Sequence, residues 1–200
     1  MQKATPLSAP FSAQKWLESL AEQLGQTRCR CRGSVVELSD GFTRLAELLR
    51  QQAQAARSVW WIGNGGSAAI CSHLSQDLIN KLNLRSHTLN DASLMSCMAN
   101  DYGYESVYLQ PLQKLARPDD LLIAISSSGN SANIVQSAQW ALEAGLNVVT
   151  LSAFAEDNKL WQLPSHLAFY LPTTLYGQAE VGHEALLHSV IETLWLADQN

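Results

Sequence analysis

Val59-Trp60-Trp61-Ile62-Gly63-Asn64-Gly65-Gly66-Ser67 is a short apolar run that stops at a glycine-rich turn. From Ala68 to Leu78 the chain continues with helical spacing, through Ile70, Cys71, His73, Leu74 and Asp77. The pattern predicts a buried strand, a sharp turn and a helix running to about Leu82. A strand that ends this way delivers backbone N–H groups and a helix N-terminus to one point, and that point attracts anions. The glycines permit a tight turn and close backbone approach. Asn64, Gly65, Gly66 and Ser67 are therefore candidate ligand-binding residues. His73 and Asp77 lie four residues apart and share a face of the new helix, one turn beyond the anion site. Taken alone, such a turn reads equally as an ordinary strand-to-helix connection capped by Ser67.

A second turn decides between the two. Leu121-Leu122-Ile123-Ala124-Ile125 reads as another buried strand, and it ends in Ser126-Ser127-Ser128-Gly129-Asn130-Ser131 before a helix. Hydroxyls, an amide and backbone N–H groups collect at the carboxyl end of a strand, where open α/β sheets bind ligands. Ser126, Ser127, Ser128 and Ser131 can hydrogen-bond a phosphate without a lysine. No Gly-Lys-Ser/Thr follows, so this is not a Walker loop, and the Gly-x-Gly-x-x-Gly dinucleotide spacing is absent.

Outward from the two turns, short continuous apolar runs alternate with helical patterns. Val148–Leu151 and Phe169–Leu171 read as strands; 91–100, 107–115, 131–145 and 178–197 read as helices. This predicts an α/β fold with a mainly parallel sheet covered on both faces. Ahead of the first core strand come two amphipathic helices, one from Ser12 to Gly25 with Ser12 as N-cap, and one from about Leu38 to Ala55 with Asp40 as a capping residue. They are expected to lie across the domain or to pack against a second subunit. Residues 1–11 read as a loose arm.

The 200 residues, 46% apolar and 16% charged, suit one globular domain. The net charge of -5 argues against non-specific nucleic-acid binding. Four cysteines are present, none with zinc-ribbon spacing. Arginines flank Cys29 and Cys31, an arrangement that can lower a thiol pKa. No secretory signal precedes the first helix and no apolar run approaches ~18 residues, so a cytoplasmic protein that does not span a membrane is expected.

The two turns, with the intervening Asn100-Asp101-Tyr102-Gly103, resemble the sugar-isomerase (SIS) domain and, more narrowly, the bacterial phosphoheptose isomerases. The resemblance covers roughly residues 38–197 and leaves 1–37 as an N-terminal arm and helix. It implies a flavodoxin-like three-layer α/β/α sandwich on a five-stranded sheet. It also implies a homotetramer with active sites at subunit interfaces. By position, the family's zinc site and acid–base pair fall on His73, Asp77, Glu180 and His188, with Asp77 as base and His188 as acid. The phosphate cradle falls on Ser67 and the Ser126–Ser131 turn, and the sugar contacts on Asn64 and Asp101. Imidazoles and carboxylates are good zinc ligands, and a zinc ion per subunit is the cofactor this set implies. Asp77 stands where the isomerases carry a glutamate, and Glu180 where they carry a glutamine.

The function this implies is a phosphosugar aldose–ketose isomerase, converting sedoheptulose 7-phosphate to D-glycero-D-manno-heptose 7-phosphate in lipopolysaccharide biosynthesis. Two alternatives share the same residues. One is a non-catalytic phosphosugar-binding or regulatory protein, like the family member that partners a replication initiator. The other is an isomerase of a different phosphosugar.

Overall fold

A computed structural model of the protein describes residues 12–199. The arm expected at residues 1–11 lies outside the described residues. The decisive strand, β3 (Ser58–Gly63), is buried along its whole length. Its side chains alternate between two cores, as the period of two in a strand requires. Val59 and Trp61 enter one core, and Trp60 and Ile62 enter the other. The same alternation runs through β5 (Leu121–Ser126) and β6 (Asn147–Ala153), so both faces of the sheet are covered.

On the first face lie α2 (Leu38–Gln54), α3 (Gly66–Leu82) and the long α8 (Tyr176–Ala197), with α1 (Ala13–Gly25) packed on α8. On the second lie α4 (Ala92–Tyr102), α5 (Leu109–Leu115) and α6 (Ala132–Glu143). Ser12 caps α1 by accepting from the Lys15 N–H, as the sequence predicts. The N-cap of α2 is Glu37 rather than Asp40, which sits in the first turn. There its carboxylate still faces the positive end of the helix dipole.

The three-layer α/β expectation holds, but among the described residues the sheet has seven strands, not five. The order is β2-β1-β7-β6-β5-β3-β4, with β4 at Arg85–Thr88 and β7 at Leu167–Leu171. Strands β4, β3, β5, β6 and β7 pair in parallel. The two additions are β1 (Arg28–Cys31) and β2 (Ser34–Val36), an antiparallel hairpin whose first strand pairs with β7. The reason lies in Arg28-Cys29-Arg30-Cys31. Cys29 and Cys31 turn to the first core, while the Arg30 guanidinium sits 4.3 Å from the Trp161 ring centroid on the other face. Arg32 and Gly33 both have positive φ, which matches the right-handed strand twist in a two-residue hairpin loop. The Cys29 thiol is pushed up to about 12, chiefly by burial and then by the neighbouring Cys31. Burial outweighs the nearby Arg44, so the arginine-rich setting does not lower this thiol's pKa.

Candidate functional site

Within the parallel set, β3 leads outward to β4 on one side and to β5 on the other. The gap between the carboxyl ends of β3 and β5 is therefore the topological switch point, where such sheets bind ligands. Both polar turns meet there. Their union is held by a reciprocal amide pair: Asn64 Nδ2 donates to Asn133 Oδ1 at 2.9 Å, and Asn133 Nδ2 donates to Asn64 Oδ1 at 2.8 Å. The Tyr104 hydroxyl also donates to Asn64 Oδ1, at 3.2 Å. Asn64 is thus committed to the protein, and its partner Asn133, two residues past the serine turn, had no role in the sequence reading.

The turns enclose a cavity of about 190 Å³ lined by Ser67, Ser126, Ser127, Ser128 and Ser131. Asn64, Tyr176 and Glu180 complete its wall. Gly65 is the N-cap of α3 with φ +56, which brings the positive end of that helix to this point. Gly129, φ +62, lets the serine turn pass the buried Asn158; a Cβ there would overlap the Asn158 amide. Five hydroxyls and a helix N-terminus without a basic residue make a cradle suited to a phosphate.

Glu180 belongs to this cradle. Its carboxylate packs on Gly66, where a Cβ would collide with it. It makes no hydrogen bond or ion pair among the described residues. Asp101 is exposed on α4, engaged by Asn100 Nδ2 at 2.9 Å and by the Cys97 thiol, and does not line the cavity.

A second cluster lies further along the same two helices. His73 and Asp77 on α3 meet His188 on α8, and their ligand atoms all lie within 4.8 Å of one another. Asp77 is 5% exposed, and its Oδ2 is 3.5 Å from His188 Nδ1. The His73 and His188 rings are 5.1 Å apart, centroid to centroid. Two imidazoles and a buried carboxylate are a donor set that fits zinc. Glu184, one turn before His188 on α8, approaches His188 Nε2 at 3.9 Å.

Glu180 stands outside that cluster. Eight residues of α8 separate it from His188, about 12 Å of helix rise. His183, between them, points elsewhere: it is fully buried, and its Nε2 donates to the Ser152 carbonyl at 3.1 Å. Burial lowers its pKa to about 4, against a smaller opposing effect of that hydrogen bond. Lys81, which the sequence reading missed, donates to Asp77 Oδ2 at 3.0 Å and also contacts Glu192. These two contacts, Glu192 first, raise its pKa. Its signal was present as the third member of the His73, Asp77, Lys81 series at four-residue spacing.

Comparison with known proteins agrees with this fold. The SIS domain family matches residues 26–153. A phosphoheptose isomerase of Akkermansia muciniphila is 34% identical over 137 residues, covering 60% of this chain and 72% of that one. One of Trichlorobacter lovleyi is 26% identical over 181 residues, covering 88% of this chain and 91% of that one. The solved phosphoheptose isomerase of Neisseria gonorrhoeae superposes with a TM-score of 0.78 at 24% identity, covering 91% of this chain and 95% of that one. That structural likeness concerns the fold.

Proposed function

The chain belongs to the SIS-domain family, and from that membership we propose that it is an aldose–ketose isomerase acting on sedoheptulose 7-phosphate. The relatives bearing the name phosphoheptose isomerase support the reaction class. The observation that carries the reading is the buried Asp77 carboxylate beside the His188 imidazole, 3.5 Å apart. A protein that only bound phosphosugars would have no use for this pair.

The reaction moves one proton between adjacent carbons. Asp77, as base, takes a proton from C1 of the ketose while His188 protonates the carbonyl oxygen on C2. The resulting ene-diol then gives the proton of the C1 oxygen to the now neutral His188, and C2 receives one from Asp77, which leaves the aldose and restores both groups. The serine cradle binds the phosphate and orients the carbon chain. His73, Asp77 and His188 would hold a zinc ion. When bound, zinc would supply positive charge beside the substrate oxygens.

Glu180 of the same chain cannot reach an ion held by that cluster across about 12 Å. It becomes a fourth ligand only if a second copy brings it there. The family resemblance implies a homotetramer with shared sites, and in it Glu180 and the phosphate cradle of one copy would face the His73, Asp77 and His188 of another.

The test is turnover of sedoheptulose 7-phosphate by purified protein, with zinc, after chelation, and in Asp77→Ala and His188→Ala. Loss in both variants and on chelation is expected. Absence of turnover in the unaltered protein with zinc present, while the sugar phosphate still raises its melting temperature, would sink the assignment.

A further inference from the structure

Lys81 is placed where it governs the geometry of the proton-transfer pair. It follows Asp77 by one turn on α3, and its ammonium donates to Asp77 Oδ2 at 3.0 Å. The same oxygen faces His188 Nδ1. The other carboxylate oxygen, Oδ1, receives no hydrogen bond from any described residue. An aspartate carboxylate turns easily about its last side-chain bond, so something must decide which oxygen meets the substrate. Lys81 makes that decision only if its own long stem is held. It is held twice. Its ammonium contacts the Glu192 carboxylate on α8, and it lies 5.8 Å from the centroid of the Trp195 ring, within cation–π range. Glu192 follows His188 by one turn on α8 as Asp77 precedes Lys81 on α3. The ammonium therefore ties together the two helices that supply the base and the acid.

We infer that Lys81 is a positioning residue: shared between Asp77 and Glu192, it fixes Asp77 Oδ2 and leaves Oδ1 as the oxygen presented to the substrate or to an ion. Glu192 acts only through Lys81, holding the ammonium between the two helices and taking a share of its charge from Asp77. The kinetic consequence rests on the isomerase reading; the effect on ion binding does not. An ammonium beside a ligand oxygen repels a divalent cation at that ligand. The two effects therefore run in opposite directions when Lys81 is lost: slower proton transfer, tighter zinc.

The experiment uses the full-length protein with Lys81→Met, Lys81→Arg, Glu192→Gln and the double variant Lys81→Met/Glu192→Gln. Zinc affinity of the metal-free proteins is measured by competition with a chromophoric chelator. Lys81→Met is expected to bind zinc at least about threefold tighter and Glu192→Gln more weakly, with the double variant matching Lys81→Met. In turnover of sedoheptulose 7-phosphate, Lys81→Met is expected to lose about tenfold or more in kcat with little change in KM, and Lys81→Arg to recover most of it. If the unaltered protein turns nothing over, the isomerase reading falls, and the zinc measurements alone decide the role of Lys81. Unchanged zinc affinity in both single variants overturns the proposal. So does a Lys81→Arg protein as impaired as Lys81→Met with an equal fall in melting temperature, since Lys81 would then only stitch α3 to α8.

Discussion

Two carboxylates in this chain sit in opposite surroundings, and their predicted roles follow from that. Asp77 is buried and engaged by a lysine and a histidine. Replacing it with asparagine keeps the shape and removes the base, so kcat should fall about 10²–10⁴-fold with the protein still folded. Steady-state kinetics together with a melting curve checks this. Glu180 instead lines a phosphate cradle with no partner for its charge among the described residues. A carboxylate there repels a phosphate at short range. Glu180→Gln should therefore tighten inorganic phosphate by about tenfold, read by calorimetry in metal-free protein. Unchanged or weaker phosphate binding would mean that Glu180 does not face the bound anion. The cysteines carry no comparable prediction: all four are free, and burial raises the pKa of Cys29 and of Cys71.

At the level of elements, α8 is fastened to the end of β6 by the buried His183. The Ser152 carbonyl can only accept, so Nε2 carries the proton, and Nδ1 is left buried without a partner among the described residues. The unfolded imidazole takes up a proton near pH 6.5, the folded one only near about 4. Between those values the unfolded state binds more protons. Stability is therefore full above about pH 6.5 and declines as the pH falls toward 4, by about 3 kcal/mol for this one group. His87 and His166, whose pKa values burial also lowers, add to the same slope. Urea midpoints measured from pH 7 to 4.5 should show the decline, and His183→Gln, which can still donate to Ser152, should flatten it. The serine turn gives a second test. Gly129→Ala meets both a positive φ and the buried Asn158, which caps the short helix α7 (Lys159–Gln162). A loss of about 1–3 kcal/mol in thermal or urea unfolding is expected.

On the scale of the whole molecule, the 12 Å of α8 between Glu180 and His188 makes sharing of sites between copies testable. Glu180→Ala and His188→Ala should each be inactive alone. Refolded or co-expressed together they should regain activity at about a quarter of the sites, those that combine the intact His188 of one copy with the intact Glu180 of another. No recovery in a verified mixed oligomer would confine each site to a single chain. The sequence by itself determined the parallel core. Strands such as Leu121–Ile125 are apolar throughout because both faces are covered, and the polar turns announce themselves because glycine and serine interrupt those runs. It also determined the face shared by His73 and Asp77, since helical spacing is local. Only the tertiary structure decided the rest. The Arg28–Val36 hairpin joins the sheet through β7, some 140 residues away in the chain, and its arginines mask a strand whose alternation is plain once Trp161 lies beneath them. Likewise Glu180 meets Gly66, Asn64 meets Asn133, and Lys81 meets Glu192 through contacts between elements distant in sequence. Periodicity reports which face a residue occupies; what stands opposite that face is set by how the helices pack on the sheet.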